Sequence, residues 1–427
     1  MTELTVLYRK HPVGRALAED EERLSFVYDR EWIANPGAFP ISVHLPLGKE
    51  RWSPAQAHPF FANLLPEGPS RQAICRRLGI SVDNDVALLK AIGDDTAGAL
   101  RIVATGHEVG DHNKRASPTP IAAEDLIKWS KGEPAILSDP AIPPRLSLAG
   151  AQHKISVILT EAGELAIAPA GEPSTHLLKF DAHRFTHLAA NEFLTTRFAA
   201  ELGLHVTELH LDNRTERPFL IIKRYDRIEL DSDSDGHGPG IGRLHQEDFC
   251  QAFGLPPTRK YQEEGGPSLD GIGEIIRKYS AAPAADLLRL ARWAIFCAVS
   301  GNADGHAKNL SLLYSPNGLR LAPFYDLVCT RAYEGLDPRL AISVGGERDP
   351  DKLRLKHLHR LARDLGIRPK RVEAEADRIF DDLDEAFDRA KSQLDAAVGF
   401  SPAAERVEQA IQKRARAIRN NLKQDRS

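Results

Sequence analysis

The 427-residue chain is poor in the features that mark several large protein classes. Its four cysteines, Cys75, Cys250, Cys297 and Cys329, are far apart and form no C-x-x-C pair. That spacing offers no framework for a zinc site or for disulfides, and reduced thiols in a cytosolic protein fit it better. Long hydrophobic runs are also missing. The most extended strongly apolar stretch, 293–299, is far shorter than the roughly 20 residues of a membrane-spanning helix. The opening MTELTVLYRKHP lacks a basic segment followed by an apolar run, so no secretory signal is expected. A cytoplasmic protein without a membrane partner is the expectation. Charge of one sign is not in excess either: the net charge of −4 gives no global basic field. Nucleic acid is therefore not the obvious partner of the chain as a whole, although local basic faces remain open.

What is present suits a soluble globular protein of two or three domains. The first hundred residues mix strand-like runs at 4–8, 24–28, 41–46 and 99–103 with helical stretches at 70–78 and 83–91, which Gly79 and Gly93 would stop. A polar segment at 104–120, rich in Gly, Pro, His and charge, reads as linker. Strand candidates at 154–159, 164–169 and 175–180 then follow closely, as in an antiparallel sheet. A helix at 187–202 ends at Gly203, and strands at 206–211 and 218–225 come next. Five strands with a helix after the third is the order of a protein-kinase small lobe. Beyond 243 the pattern is mostly helical, and 286–299, apolar nearly all round, marks a helix buried in a larger lobe. In the tail, Val372, Ile379, Leu383, Phe387, Ala390 and Leu394 keep a helical stripe, as do Val407, Ile411, Ile418 and Leu422. The predicted fold is α+β, a bilobal protein-kinase-like fold with an additional N-terminal α/β domain. Its divisions are 1–110 for the N-terminal domain, 111–143 for a linker, 144–243 for the small lobe and 244–427 for the helical large lobe.

The segment after that buried helix carries the chemistry. Phosphoryl transfer needs a carboxylate for the attacking hydroxyl, oxygen ligands for Mg²⁺ and positive charge on the phosphates. Asp304 and Asn309 are five residues apart, the separation found in the kinase catalytic loop H-R-D-x-x-x-x-N. Asp326 follows after a predicted strand pair, where a kinase places its metal-binding D-F-G aspartate. Asn302-Ala303-Asp304-Gly305 alone would suit a simple turn. A turn does not explain Asp326, so catalysis is the better reading. Lys179 ends a strand and Glu192 lies in the next helix, the arrangement in which a helix carboxylate holds a phosphate-binding lysine.

Other elements speak less clearly. The loop 145–154, with Ala149, Gly150, Ala151, Gln152, His153 and Lys154, holds one glycine and is not G-x-G-x-x-G. By its residues alone it is an ordinary loop, although small residues let backbone N–H groups approach phosphate. The run Asp231 to Gly236 imitates the start of a calcium loop, but its twelfth position is Gly242 rather than glutamate, which favours a solvated acidic loop. Lys413, Arg414 and Arg416 read as the solvated face of a helix, with phosphate contact as the alternative.

Taken together these segments resemble the HipA family, the serine/threonine-kinase toxins of bacterial toxin–antitoxin pairs. Phe60 to Gly68 looks like its N-terminal-domain signature, Leu148 to Gln152 with Lys154 like its ATP loop, and Thr175 to Phe180 like its lysine strand. Gln246-Glu247-Asp248, Lys260-Tyr261 and Gly265-Gly266-Pro267 also fit, and Asp304 to Asn309 and Phe324 to Asp326 complete the set. The resemblance implies ATP and Mg²⁺, with Asp304 as general base and Asn309 and Asp326 as metal ligands. It implies that Lys154, Lys179 and His306 contact the phosphates, and that Lys223, Arg224 and Tyr225 form the hinge at adenine. Ala307, Lys308 and Tyr325 belong to the same nucleotide-binding set. Ser147 sits where the family carries an autophosphorylated serine. A charge of roughly −2 there would expel the loop and switch the enzyme off. The implied partners are a helix-turn-helix antitoxin of the HipB type, operator DNA mainly through that antitoxin, and an aminoacyl-tRNA synthetase as substrate. Basic residues near Lys352, Arg354 and Lys356 lie roughly where the family can touch DNA, although solvated helix charge is the better explanation for them. Two alternatives remain: a small-molecule kinase, against which the N-terminal domain argues, and a non-catalytic co-repressor, against which the intact Asp304, Asn309, Asp326 and Lys179 set argues.

Overall fold

The computed structural model describes residues 2–18, 23–106, 117–133, 154–160, 162–181, 185–231 and 240–427. The chain forms two compact units, Met1–Phe180 with Ile221–Pro257, and Asp181–Leu220 with Thr258–Ser427. Among the described residues no helix is long and apolar enough to cross a membrane.

The first unit opens with a five-stranded antiparallel sheet in the order Arg51–Trp52, Leu24–Tyr28, His11–Ala18, Glu3–Tyr8, Leu100–Ala104. The inward face is apolar at alternate positions, with Leu4, Val6, Ala16, Leu24 and Phe26 fully buried. Strand His11–Ala18 escapes a sequence reading because Pro12 and Gly14 interrupt its alternation. Gly14 is needed where it stands: a Cβ there would lie 2.6 Å from the Phe26 ring and 2.3 Å from the Val27 carbonyl. Helix Pro54–Ala62, hidden in the sequence by its internal Pro59, brings Phe61 to 5.9 Å from the Phe26 ring centroid. The strand expected at 41–46 is absent, and only a Ser42–Leu45 bridge forms. The Ile41 and Val43 N–H groups donate instead to Tyr28 Oη (2.9 Å) and Glu247 Oε1 (2.9 Å), so side chains replace a ladder.

A second sheet in this unit follows the order Phe219–Lys223, His176–Lys179, Lys154–Leu159, Leu165–Ile167, Thr119–Pro120. Helix Ala123–Ser130 occupies part of the expected linker, and its Trp129 meets Phe180 edge-on at 5.8 Å. The same unit holds a buried ion cluster. Arg224 contacts Asp226 at 2.9 Å and Asp95 at 3.5 Å, Arg227 contacts Asp95 at 3.0 Å, and Arg243 contacts Asp95 at 3.4 Å. Burial pushes the Asp95 carboxyl up, but Arg224, Arg243 and Arg227 outweigh it and hold it well below the usual range.

The second unit is mainly helical. Pro283–Ser300 is buried along most of its length, as expected from its apolar circumference. Helix Leu188–Glu201 packs on Leu383–Val398 and Pro402–Arg426, with Phe198 at 5.5 Å from both Phe296 and Phe387. Asn191 fastens it further: its Nδ2 donates to the Cys329 carbonyl (3.0 Å), and the Cys329 N–H donates to its Oδ1 (2.9 Å). The stripe Val372, Ile379, Leu383, Phe387, Ala390 and Leu394 is buried as expected, but is shared by two helices, Pro369–Asp381 and Leu383–Val398. Arg354 is taken up by Asp425, and Lys352 lies 3.2 Å from Asp349. Arg414, expected in solvent, is instead only 2% exposed.

Candidate active site

The catalytic-loop candidate is built on the end of helix Pro283–Ser300. Gly301 closes that helix in the left-handed region (φ 69°), returning its N–H to Cys297. The following turn is fixed at every residue. The Asn302 N–H donates to the Cys297 carbonyl (3.0 Å), and the Asn302 Oδ1 accepts from the Asp304 N–H (3.1 Å). Thr330 Oγ1 donates to the Gly301 carbonyl and accepts from the Ala303 N–H, each at 2.9 Å. Gly305 is packed so closely that a Cβ would lie 3.1 Å from Trp293 and 3.2 Å from Cys297 Sγ.

These contacts leave Asp304 as the one exposed residue between 301 and 310. Its Oδ1 accepts a hydrogen bond from Tyr261 Oη at 2.5 Å. Its carbonyl accepts from Asn309 Nδ2 (2.9 Å) and from the His306 N–H (2.8 Å). The first of these orients the Asn309 amide, because with its nitrogen spent on the loop the oxygen remains as a ligand atom.

Asp326 arrives from the hairpin Ser311–Ser315 and Gly318–Leu321. The Phe324 N–H donates to the His205 carbonyl (2.8 Å), and the Phe324 carbonyl accepts from the Thr207 N–H (2.9 Å). Tyr325 Oη donates to the Lys308 carbonyl (2.7 Å) and lies 2.7 Å from Ser311 Oγ, so this hydroxyl braces the loop. Asp326 itself has a φ of 58°, one of three described non-glycine residues with positive φ. A non-glycine residue held there is sterically costly, and such strain collects at functional sites.

His306 links the carboxylates. It is 6% exposed and meets the Tyr261 ring edge-on at 5.1 Å. Burial holds its pKa below the ordinary histidine value. Asp304 and Asp326 pull it up, while Lys260 and Lys308 push it down. Both carboxylates and both ammonium groups thus act on one neutral imidazole. The oxygens of Asn309 and Asp326 fit Mg²⁺, which takes few protein ligands and completes its octahedron with phosphate and water.

In the first unit, Lys154 and Lys179 are direct partners across neighbouring antiparallel strands. Lys179 is 5% exposed, and Lys223 stands exposed at a strand end. The Arg224 guanidinium is taken up by the ion cluster, and its N–H donates to the Thr175 carbonyl (3.0 Å). Tyr225 Oη bonds Gln246. Glu192 is buried in the second unit's helix Leu188–Glu201. Ala149, Gly150, Ala151, Gln152, His153 and Ser147 lie outside the described residues. Three contributors had no assigned role in the sequence. Tyr261 stood only as part of Lys260-Tyr261, while Thr330 and Asn191 act across tens of residues and leave no local signal.

Residues 4–103 match the HipA N-terminal domain, and residues 146–390 match the HipA-like C-terminal domain. A Sinorhizobium fredii protein with a kinase designation, Y4mE, is 39% identical over 80% of this chain and 80% of its own. The serine/threonine-protein kinase toxin HipA of Shewanella oneidensis is 32% identical, over 80% of this chain and 78% of its own. A solved structure of Shewanella oneidensis HipA with HipB and operator DNA superposes with a TM-score of 0.82 at 26% identity, covering 98% of this chain and 97% of that one. Matched in both domains, the chain belongs to the HipA family and has its α+β, protein-kinase-like fold with an N-terminal domain.

Proposed function

We propose that this chain is an ATP- and Mg²⁺-dependent serine/threonine-protein kinase, the toxin of a toxin–antitoxin pair. One observation carries the reading: Asp304 is exposed on a loop otherwise buried and hydrogen-bonded, with Asp326 acting on the same imidazole. Asp304 accepts the proton of a substrate serine or threonine hydroxyl as its oxygen attacks the γ-phosphorus and ADP leaves. Tyr261 holds the carboxylate in place for that transfer. Lys154 and Lys179, opposite one another on their strands, supply positive charge for the phosphates. Mg²⁺, held by Asn309 and Asp326, would neutralise charge on the β- and γ-phosphates. His306 is kept neutral by burial and is suited to donate a hydrogen bond to phosphate.

The finer parts of the reading rest on kinship. The solved relative is bound to HipB and operator DNA, which supports a HipB-type helix-turn-helix antitoxin as partner. DNA would be reached mainly through that antitoxin, since Arg354 is already paired with Asp425. The substrate would be an aminoacyl-tRNA synthetase in the cytoplasm, and autophosphorylation of Ser147 the off switch. The deciding experiment incubates the purified chain with Mg-ATP and follows phosphoserine and phosphothreonine by mass spectrometry. Transfer is expected from the wild type and lost at least 10³-fold in Asp304→Asn, the order that a missing catalytic base costs. Equal transfer by both proteins would overturn the role of Asp304, and none by either would favour a non-catalytic co-repressor.

A further inference from the structure

Behind the catalytic loop, in the same unit, lies a cavity of about 570 Å³ that none of the proposed chemistry uses. Its wall includes Arg331 and Tyr333 from the segment after Asp326, and Arg406, Lys413 and Arg414 from helix Pro402–Arg426. Glu334 is the one carboxylate in the lining.

Arg414 is the unusual member. It is 2% exposed, and neither its Nε nor its Nη1 has a hydrogen-bond partner. Only its Nη2 is used, on the Ala410 carbonyl of its own helix. A buried guanidinium with two unmet N–H groups is costly, because desolvation of a charged donor is repaid only by an acceptor. Asp351 offsets this only in part: its attraction for Arg414 is opposed by the Arg331 guanidinium, which itself lies 3.5 Å from Asp351, and burial still dominates. Arg406 Nε is likewise unpartnered. The Arg406 guanidinium stands 5.5 Å over the Tyr333 ring. Lys413 is exposed at the mouth. Four cations therefore converge on one cavity whose only lining carboxylate is Glu334. Arginine forks of this kind match the oxygens of phosphate.

The cavity is also coupled to the loop it backs. A Cβ on Gly301 would lie 2.8 Å from Arg331 Cγ and 2.9 Å from Arg414 Nε. The Arg331 N–H donates to the Gly301 carbonyl at 3.3 Å.

We propose that this cavity is a binding site for a phosphate group, with Arg414 and Arg406 as its hydrogen-bond donors and Lys413 and Arg331 as flanking charges. The site is independent of the kinase reading, since none of its donors belongs to the proposed catalytic set. Its ligand is free inorganic phosphate or a phosphate monoester, and the two are separable by experiment. The thermal unfolding midpoint of the full chain is followed against inorganic phosphate and against O-phosphoserine, at constant ionic strength in chloride. The wild type is expected to be stabilised in a saturable way. Arg406→Ala with Lys413→Ala, both at the more accessible side, keeps the fold and weakens the apparent affinity at least about tenfold, the order expected for one charge-assisted bond. Arg414→Met abolishes the response where that variant folds. Stabilisation by both probes assigns a free-anion site, and stabilisation by phosphoserine alone assigns an esterified ligand. No response to either probe, or an equal response in wild type and double variant, overturns the proposal.

Discussion

Arg224 Nη2 lies 2.9 Å from Asp226 Oδ2 with both side chains only 2% exposed, although the two sit in the short connection between strands Phe219–Lys223 and Arg227–Leu230. The pair is the centre of the cluster that also holds Asp95, Arg227 and Arg243. Asp95 arrives from the short helix Gly93–Asp95, just ahead of the last strand of the N-terminal sheet.

Removing one member of such a cluster leaves buried charge without compensation. Asp95→Ala is expected to cost about 3–5 kcal/mol, the range for breaking a buried ion pair from one side. Denaturant unfolding of the variant beside the wild type measures it, and a cost under about 1 kcal/mol would show that the arginines find other partners.

Acid sensitivity has a named source in the first unit. His245 is buried with Nε2 at 2.8 Å from the Ile41 carbonyl, and burial lowers its pKa from 6.5 to about 4. The unfolded chain therefore binds a proton that the folded one refuses between those values. Stability is full above about pH 6.5 and declines as pH falls toward 4, by about 2 kcal/mol between pH 7 and pH 5. His245→Gln, which can still donate to Ile41, is expected to flatten that slope in unfolding titrations. An unchanged slope would assign the acid response to other groups.

Tyr261 separates positioning from binding. On the proposed mechanism Tyr261→Phe removes the hydrogen bond to Asp304 and leaves the nucleotide contacts alone. It should lower kcat about tenfold with KM for ATP unchanged. A rise in KM at constant kcat would place the tyrosine in nucleotide binding instead.

The Asn191–Cys329 clamp supports the segment that follows Asp326. Asn191→Leu removes the partner of the Cys329 N–H and leaves its carbonyl with the Ala332 N–H (3.2 Å) alone, at a cost of about 1–3 kcal/mol. Faster amide exchange at Cys329 would report the loss directly, and unaltered exchange would contradict it.

Periodicity made the large helical elements readable, and five-residue spacing singled out Asp304 and Asn309, which the structure joins through a hydrogen bond, because both signals are local. The buried helix Pro283–Ser300 and the stripes around Leu394 and Ile411 stand close to where apolar repeats put them. Strand His11–Ala18 and helix Pro54–Ala62 were masked by Pro12, Gly14 and Pro59, whose penalties tertiary contacts override. The ion cluster was illegible for another reason. Asp95 and Arg227 are 132 residues apart, and each alone looks like a surface charge. Arg414 misled in the same way, as one basic residue among several on a helix otherwise wet on that side.

The left-handed backbone at Asp326 bears on how an inactive copy of this protein should be made. Alanine there would add about 1–2 kcal/mol of main-chain discomfort to the loss of the carboxylate, and any phenotype would confound shape with charge. Asparagine tolerates that geometry, so exchanging a single oxygen for an amide nitrogen gives the cleaner blank for genetics.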